Sequence, residues 1–374
     1  MTTCFAVRTN PIAVPLLPLF TALLAGFPAL VQAQYNFFTN NDNTITITAY
    51  TGPQSVAVAI PDTITGLPVT VIADEAFFGA HITSVTFPSN LASLGEGVFA
   101  NNFGWTGPVT FPNTLTNIGP GCFGATEVSS VLIPAGVLTI GDGAFANAYG
   151  LTAITVDPAN PNYSNSIEGV LFSKDGTSLL QYPSDLPGPY TIPDTVTYIG
   201  YGAFSGSEHL GSIAVPNAVT NIGDRAFGNS YLVNISFGTN VANIGYGEFQ
   251  TAYVLQGIYF GGNAPTFAGG EFTASLHPIV YYLPGTTGWG TVFDTVPTEL
   301  WNPQAVAAGV QNNQFGFNIT GSTNLTVVVQ AATNLVNPSW QNLSTISLTS
   351  AGTGSFSDTD WANHSARFYR FTNP

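Results

Sequence analysis

The chain has 374 residues, of which 45% are hydrophobic and only 7% charged, and its formal charge is −15 with five basic residues, Arg8, Lys174, Arg225, Arg367 and Arg370. Nucleic-acid binding needs clustered Lys and Arg to displace phosphate counterions, so this composition excludes it and disfavours acidic membrane surfaces for the same reason. Glycine (40) and proline (26) are over-represented, and 27 Phe with 15 Tyr supply ample surface to bury, which argues for many short strands joined by tight turns and against disorder.

Residues 1–33 read as an export signal. Arg8 supplies the positive start, Ile12 to Val31 the apolar stretch, and Val31-Gln32-Ala33 the small residues of a cleavage site, so the mature chain is expected to begin at Gln34. Pro11, Pro15, Pro18 and Pro28 argue against a membrane span there, and no other long apolar segment follows. Cys4 falls in the signal, which leaves Cys122 without an internal disulfide partner; the fold has to be held by its core.

After an N-terminal cap at 34–60, a single pattern recurs over residues 60–260. An apolar residue and Pro are followed about six residues later by Ile-Gly or Leu-Gly, and four residues after that Gly by Phe. Aligned on the ring, the copies give a ladder of Phe77, Phe99, Phe123, Phe145, Phe204, Phe227 and Phe249, with spacings of 22, 24, 22, 59, 23 and 22. Glycine stands four before the ring in all but the first copy, where Ala73 takes its place. Beyond the ring an apolar pair recurs: Val128/Val131, Leu151/Ile154, Leu210/Ile213, Leu232/Ile235 and Leu255/Ile258.

Each part has a physical role. The apolar pair anchors a short strand in a parallel sheet running along the stack. Proline ends that strand because it cannot donate to the ladder. Val-Thr-x-Ile supplies a second short strand, glycine permits the corner, and Phe fills the interior of every coil. A fixed period of this length predicts a stacked solenoid in which each unit buries its apolar face against its neighbours.

The copy at 192–214, Ile-Pro-x-x-Val-Thr-x-Ile-Gly-x-x-Ala-Phe followed by Leu-x-x-Ile, resembles the bacterial surface-antigen (BspA-like) class of leucine-rich repeats. The resemblance covers about 44–260. Thr44-Ile45-Thr46-Ile47 and Gly66-Leu67-Pro68-Val69 resemble the family's N-terminal start. Asn263-Ala264-Pro265 and Tyr281-Tyr282-Leu283-Pro284-Gly285 with Gly288-Trp289 resemble its usual end, a C-terminal cap at 260–302. The departures are Gly238 for the strand-ending proline, and Cys122 and Glu248 for the usual Ala. The resemblance implies a leucine-rich-repeat solenoid with parallel strands on one face, and adhesion or protein recognition as its use.

The 59-residue gap reads as one repeat with an insertion at 157–190. Asn160-Pro161-Asn162-Tyr163 opens it, and residues 169–176 form a β-hairpin with Lys174-Asp175-Gly176 at its turn. An insertion on one face is a place for specificity, with a structural spacer as the plainer reading. From 303 to 374 the repeat stops, and alternating strands such as Thr326 to Gln330 and Arg367 to Phe371 predict a small antiparallel β-sandwich-like domain.

No catalytic, cofactor or metal constellation stands out. His81, His209, His277 and His364 are isolated, and Cys122 sits beside a core ring where a small hydrophobe is wanted. Asp358-Thr359-Asp360 with Asn363 supplies oxygen ligands of the kind calcium takes, against a solvated loop. The outward column of the long strands is expected to be Thr86, Thr110, Leu132, Thr155, Ala214, Ser236 and Tyr259, small and neutral for the most part. Aromatic anchors lie near the turns instead, at Phe78, Phe103, Trp105, Tyr149, Tyr231 and Tyr253, and Phe103, Trp105, Tyr149, Tyr231 and Tyr253 make the candidate contact surface. The resulting expectation is a secreted or surface-associated, non-enzymatic repeat protein that recognises an extracellular or surface protein. The alternatives are a structural module of an extracellular matrix and a glycan-binding protein that stacks sugars on the turn aromatics.

Overall fold

The structure is a computed structural model that describes residues 34–247, 249, 251–270 and 278–374. The expected export signal lies outside the described residues, as do Glu248 and His277. The chain is nearly all β: a parallel-stranded solenoid followed by two packed antiparallel sheets.

One coil shows how the repeat folds. In Ser212–Val215 the alternation of the strand turns Ile213 and Val215 inward and leaves Ser212 and Ala214 exposed. Pro216 ends the strand, Asn221–Ile222 forms a second, shorter one, and a tight turn then delivers Phe227 to the interior. Equivalent residues of successive coils pair in register, Ile213 beside Ile235, Ile235 beside Ile258 and Ile258 beside Val280. The solenoid therefore has two parallel-stranded faces, one of longer strands that closes with Val296–Leu300 and one mostly of two-residue strands, joined by turns. The short strands are also tied through side chains: Asn117 Nδ2 donates to Ser93 Oγ at 3.1 Å, and Thr139 Oγ1 donates to Asn117 Oδ1 at 2.5 Å.

The phenylalanine ladder is the spine of the core. Phe77, Phe99, Phe123 and Phe145 follow one another at 5.2, 5.4 and 5.6 Å between ring centroids, and Phe204, Phe227 and Phe249 at 5.2 and 6.2 Å. Phe77, Phe99, Phe123 and Phe204 are also held by backbone, as in Phe99 N–H to the Cys122 carbonyl at 2.8 Å and Phe204 N–H to the Ala226 carbonyl at 2.7 Å. The same bond identifies two rungs that are tyrosines. Tyr50 N–H donates to the Ala76 carbonyl and its ring stacks on Phe77 at 5.1 Å; Tyr182 N–H donates to the Ala203 carbonyl and its ring stacks on Phe204 at 5.3 Å. The long gap is thus not a single repeat with an insertion. Tyr182 begins an ordinary coil 22 residues before Phe204, and the extra sequence belongs to one long coil between Phe145 and Tyr182.

The corner glycine also has a different cause from the one its position suggests. Gly95, Gly119 and Gly141 do not have positive φ; that conformation falls two residues later, at Gly97 and Gly121, and even at Glu75 and Arg225. A Cβ at Gly119 would stand 2.2 Å from the Gly95 carbonyl oxygen, so glycine is required by the close approach of stacked backbones. Ala73 is accommodated in the first copy because the chain behind it is the extended strand Ile45–Tyr50.

In the long coil, Tyr163–Asn165, Leu171–Ser173 and Ser178–Gln181 form an antiparallel meander, and the last of these restarts the parallel sheet by pairing with Tyr198–Ile199. Asn160 organises its start: buried, it donates to the carbonyls of Pro134 and Val137, and its Oδ1 accepts from the N–H groups of Asn162 and Tyr163. On the turn side nothing is inserted. Asn229 Nδ2 there donates to Asn147 Oδ1 at 3.2 Å, so turns on either side of the long coil come together at this point.

After Leu300 the antiparallel part begins. Gln304–Gln311, Gln314–Thr320 and Thr353–Asp358 form one sheet, and Gln341–Ser347, Thr326–Ala332 and Phe368–Thr372 the other. Phe317, Ile319 and Phe356 of the first pack on Val327 and Val329 of the second. Tyr259 and Tyr281 of the solenoid join the same cluster. The expected outward column is therefore covered at Tyr259, which is buried because the antiparallel sheets rest on it.

Candidate interaction surface

The elements above leave three surfaces on the solenoid. The first is the long-strand face, where Thr86, Thr110, Leu132, Thr155 and Ala214 are exposed and Ser236 is partly so before the column disappears beneath the antiparallel sheets. It offers hydroxyls and methyls but no aromatic or Arg anchor.

The second is the segment between each turn and its long strand. Seven coils there carry a fully buried apolar residue, namely Ile82, Trp105, Val128, Leu151, Leu210, Leu232 and Leu255. Residues one or two places earlier point outward, and these include Phe103, Tyr149, Tyr231 and Tyr253. Phe103, Tyr231 and Tyr253 are 45%, 51% and 58% exposed, while Tyr149 is half-buried. Trp105 does not belong to this surface. It occupies the buried anchor position of its coil, with its indole edge-on to Phe99 at 5.5 Å and to Phe123 at 5.8 Å. Across the long coil, Tyr149 lies with Glu208 and Tyr231: burial first, then the Glu208 carboxylate and Tyr231, raise the pKa of the Tyr149 hydroxyl.

The third is a groove of about 660 Å³ that follows the turns. Glu75, Glu96, Asp142 and Asp224 line it with Phe78, Tyr201 and Arg225, whose guanidinium reaches the Tyr201 hydroxyl at 3.4 Å. None of these carboxylates is among the contact residues expected from sequence; the stacking of successive turns lines them up, as the Glu75 N–H donating to the Glu96 carbonyl at 2.8 Å shows.

Reactive side chains are occupied elsewhere. His209 meets Asp185 at 2.8 Å and His364 meets Asp360 at 2.7 Å, both in exposed pairs. Cys122 is fully buried, which raises its thiol pKa and keeps it protonated. The Asp358 carboxylate is buried against Arg367 at 2.6 Å and accepts from the Tyr369 hydroxyl at 2.9 Å, while Asp360 is engaged by Asn363 and His364. Both carboxylates are thus taken up by protein partners. Among the described residues there is no group of three or more His, Cys, Asp or Glu side chains disposed to hold a metal, and no helix long and apolar enough to cross a membrane.

Comparison with known proteins adds the family. Six copies of the BspA type leucine rich repeat region match this chain over residues 43–174 and 189–279. A leucine-rich repeat protein from Eubacterium ventriosum is similar at 25% identity with a TM-score of 0.47, covering 68% of this chain and 77% of that one. A leucine rich cell surface protein from Faecalibacterium prausnitzii is similar at 22% identity and TM-score 0.40, covering 72% and 93%. The pneumococcal vaccine antigen PcpA is similar at 18% identity and TM-score 0.45, covering 71% and 91%. No curated protein matches the chain.

Proposed function

The chain belongs to the BspA-type leucine-rich repeat family, and from that premise we propose that it is a secreted or surface-associated, non-enzymatic protein that recognises another extracellular or surface protein. The observation that carries this reading is the aromatic strip beside the turns. Tyr231 and Tyr253 present rings from adjacent coils, with Tyr149 and Phe103 farther along the same edge of the stack, and Tyr149 feels the Glu208 carboxylate and Tyr231. Tyrosine supplies large, amphipathic contact area at low side-chain entropy, which is why it concentrates in interface hot spots. The acidic turn groove next to the strip favours a partner with a basic complementary patch.

The test is capture of surface proteins by the purified protein, read by mass spectrometry, followed by affinity measurement on the captured partner. Tyr231→Ala and Tyr253→Ala together are expected to weaken that binding at least tenfold while the melting temperature stays at its parental value. A partner bound equally well by the double variant overturns the assignment of the strip. Binding to glycans alone, lost in the same variant, replaces the protein partner with a carbohydrate.

A further inference from the structure

The antiparallel sandwich is open along one long side, and that opening is shaped for a strand. Its strand Phe368–Thr372 pairs with Thr326–Ala332 and with no other among the described residues. Opposite it, Gln304–Gln311 is likewise paired on one side only, to Gln314–Thr320. Between these two edges runs a cleft of about 440 Å³, lined by Ala308, Phe315, Trp340, Tyr369, Arg370 and Phe371 among others.

The side chains around the cleft show a core that is incompletely covered. A sandwich strand ordinarily buries alternate residues, yet all eight residues of Gln304–Gln311 are exposed. The rings of Phe315, Tyr369 and Phe371 face the core and are only partly buried, whereas Ile319 and Phe356, away from the cleft, are buried. A row of unpaired backbone groups beside partly covered rings is the arrangement that strand addition exploits.

Charge selects the occupant. Arg367 is spent on Asp358 and Asp360. Arg370 has no ion pair among the described residues; its guanidinium lies 4.3 Å from the Trp340 ring centroid and its Nε donates to Gln330. On the strand Phe368–Thr372, Tyr369 and Phe371 turn to the core while Arg370 turns away from it. We propose that this cleft binds an extended strand of another protein whose alternate residues are apolar and whose outward face carries a carboxylate opposite Arg370. A second copy pairing through its own Gln304–Gln311 fits less well, because that strand has no acidic residue and leaves Arg370 without a counter-charge. The proposal concerns a surface separate from the aromatic strip and stands or falls independently of it.

The experiment uses the whole protein and two fluorescent nine-residue peptides, Thr-Val-Thr-Val-Glu-Val-Thr-Val-Thr and the same sequence with Lys at its centre, with affinity read by anisotropy. The Glu peptide is expected to bind at least tenfold more tightly than the Lys peptide, and Arg370→Glu to invert that preference. Ala308→Trp fills the cleft from an exposed position and is expected to weaken both peptides at least tenfold at unchanged melting temperature. Failure of the Glu peptide to bind, equal affinity for the two, or full binding of the Glu peptide by Ala308→Trp overturns the proposal. So does a protein that sediments as a dimer and becomes monomeric in Ala308→Trp, since the cleft is then filled by a second copy.

Discussion

The solenoid and the sandwich that follows it solve the same problem in opposite ways. Both are built from short strands with one buried face, and both must satisfy strand edges. In the solenoid repetition does this: each coil is the partner of the next, and the rings from Phe77 to Phe249 are almost entirely enclosed. In the sandwich six strands have no such succession, and the edges of Phe368–Thr372 and Gln304–Gln311 stay unpaired with Phe315, Tyr369 and Phe371 only partly covered. A repeat architecture therefore closes its own strand edges by succession, whereas this small sandwich leaves two edges unpaired among the described residues.

The sharpest way to break this comparison is to remove one element from each core. Phe204→Ala should destabilise the solenoid by about 3–5 kcal/mol, measured by chemical denaturation, because neighbouring coils cannot collapse into the space of a ring held from both sides. A variant that unfolds at the parental denaturant concentration removes Phe204 from the core. In the sandwich the matching element is polar. Arg367→Ala leaves the Asp358 carboxylate buried without its cation and should cost about 3–5 kcal/mol, with loss confined to the transition of that region.

Smaller effects test how the coils touch. Gly119→Ala should cost about 1–3 kcal/mol through overpacking against the Gly95 carbonyl, and a neutral result in thermal denaturation would mean that the corner is looser than the stacked backbones imply. Tyr182→Phe keeps the rung and loses only the hydrogen bond from its hydroxyl to the Leu186 carbonyl, so about 1 kcal/mol is expected. Tyr182→Ala should approach the cost of Phe204→Ala; if it does not, the restarted ladder is not a ladder. Least of all, Tyr231→Ala should leave stability within about 0.5 kcal/mol, as exposed surface positions do, while weakening the proposed interface.

Legibility followed the repeat. The ring ladder, the strand-ending prolines and the buried apolar pairs were readable because each residue type recurs at a fixed distance, and the family resemblance rests on that recurrence. Departures from the repeat were misread. Tyr182 has Ser178 rather than Gly four residues before it, and Tyr50 has Thr46, so neither matched the template although each stacks on the next rung. Trp105 resembled a surface anchor because Trp is amphipathic, although it stands six residues after its ring just as Leu151 does.

Composition and period by themselves determined that this chain is a β solenoid of stacked coils with aromatic rungs, followed by a short antiparallel region. Those features depend on contacts between equivalent residues one repeat apart, and such contacts are written in the spacing. The tertiary structure alone decided where surfaces meet. It brought Tyr149 to Glu208 and Tyr231, gathered the acidic turns into a groove, covered Tyr259 and left a strand-wide opening beside Arg370. Each of these depends on how the long coil joins the two parts of the stack and on how two separate sheets settle against it and each other, and no periodic signal records either arrangement.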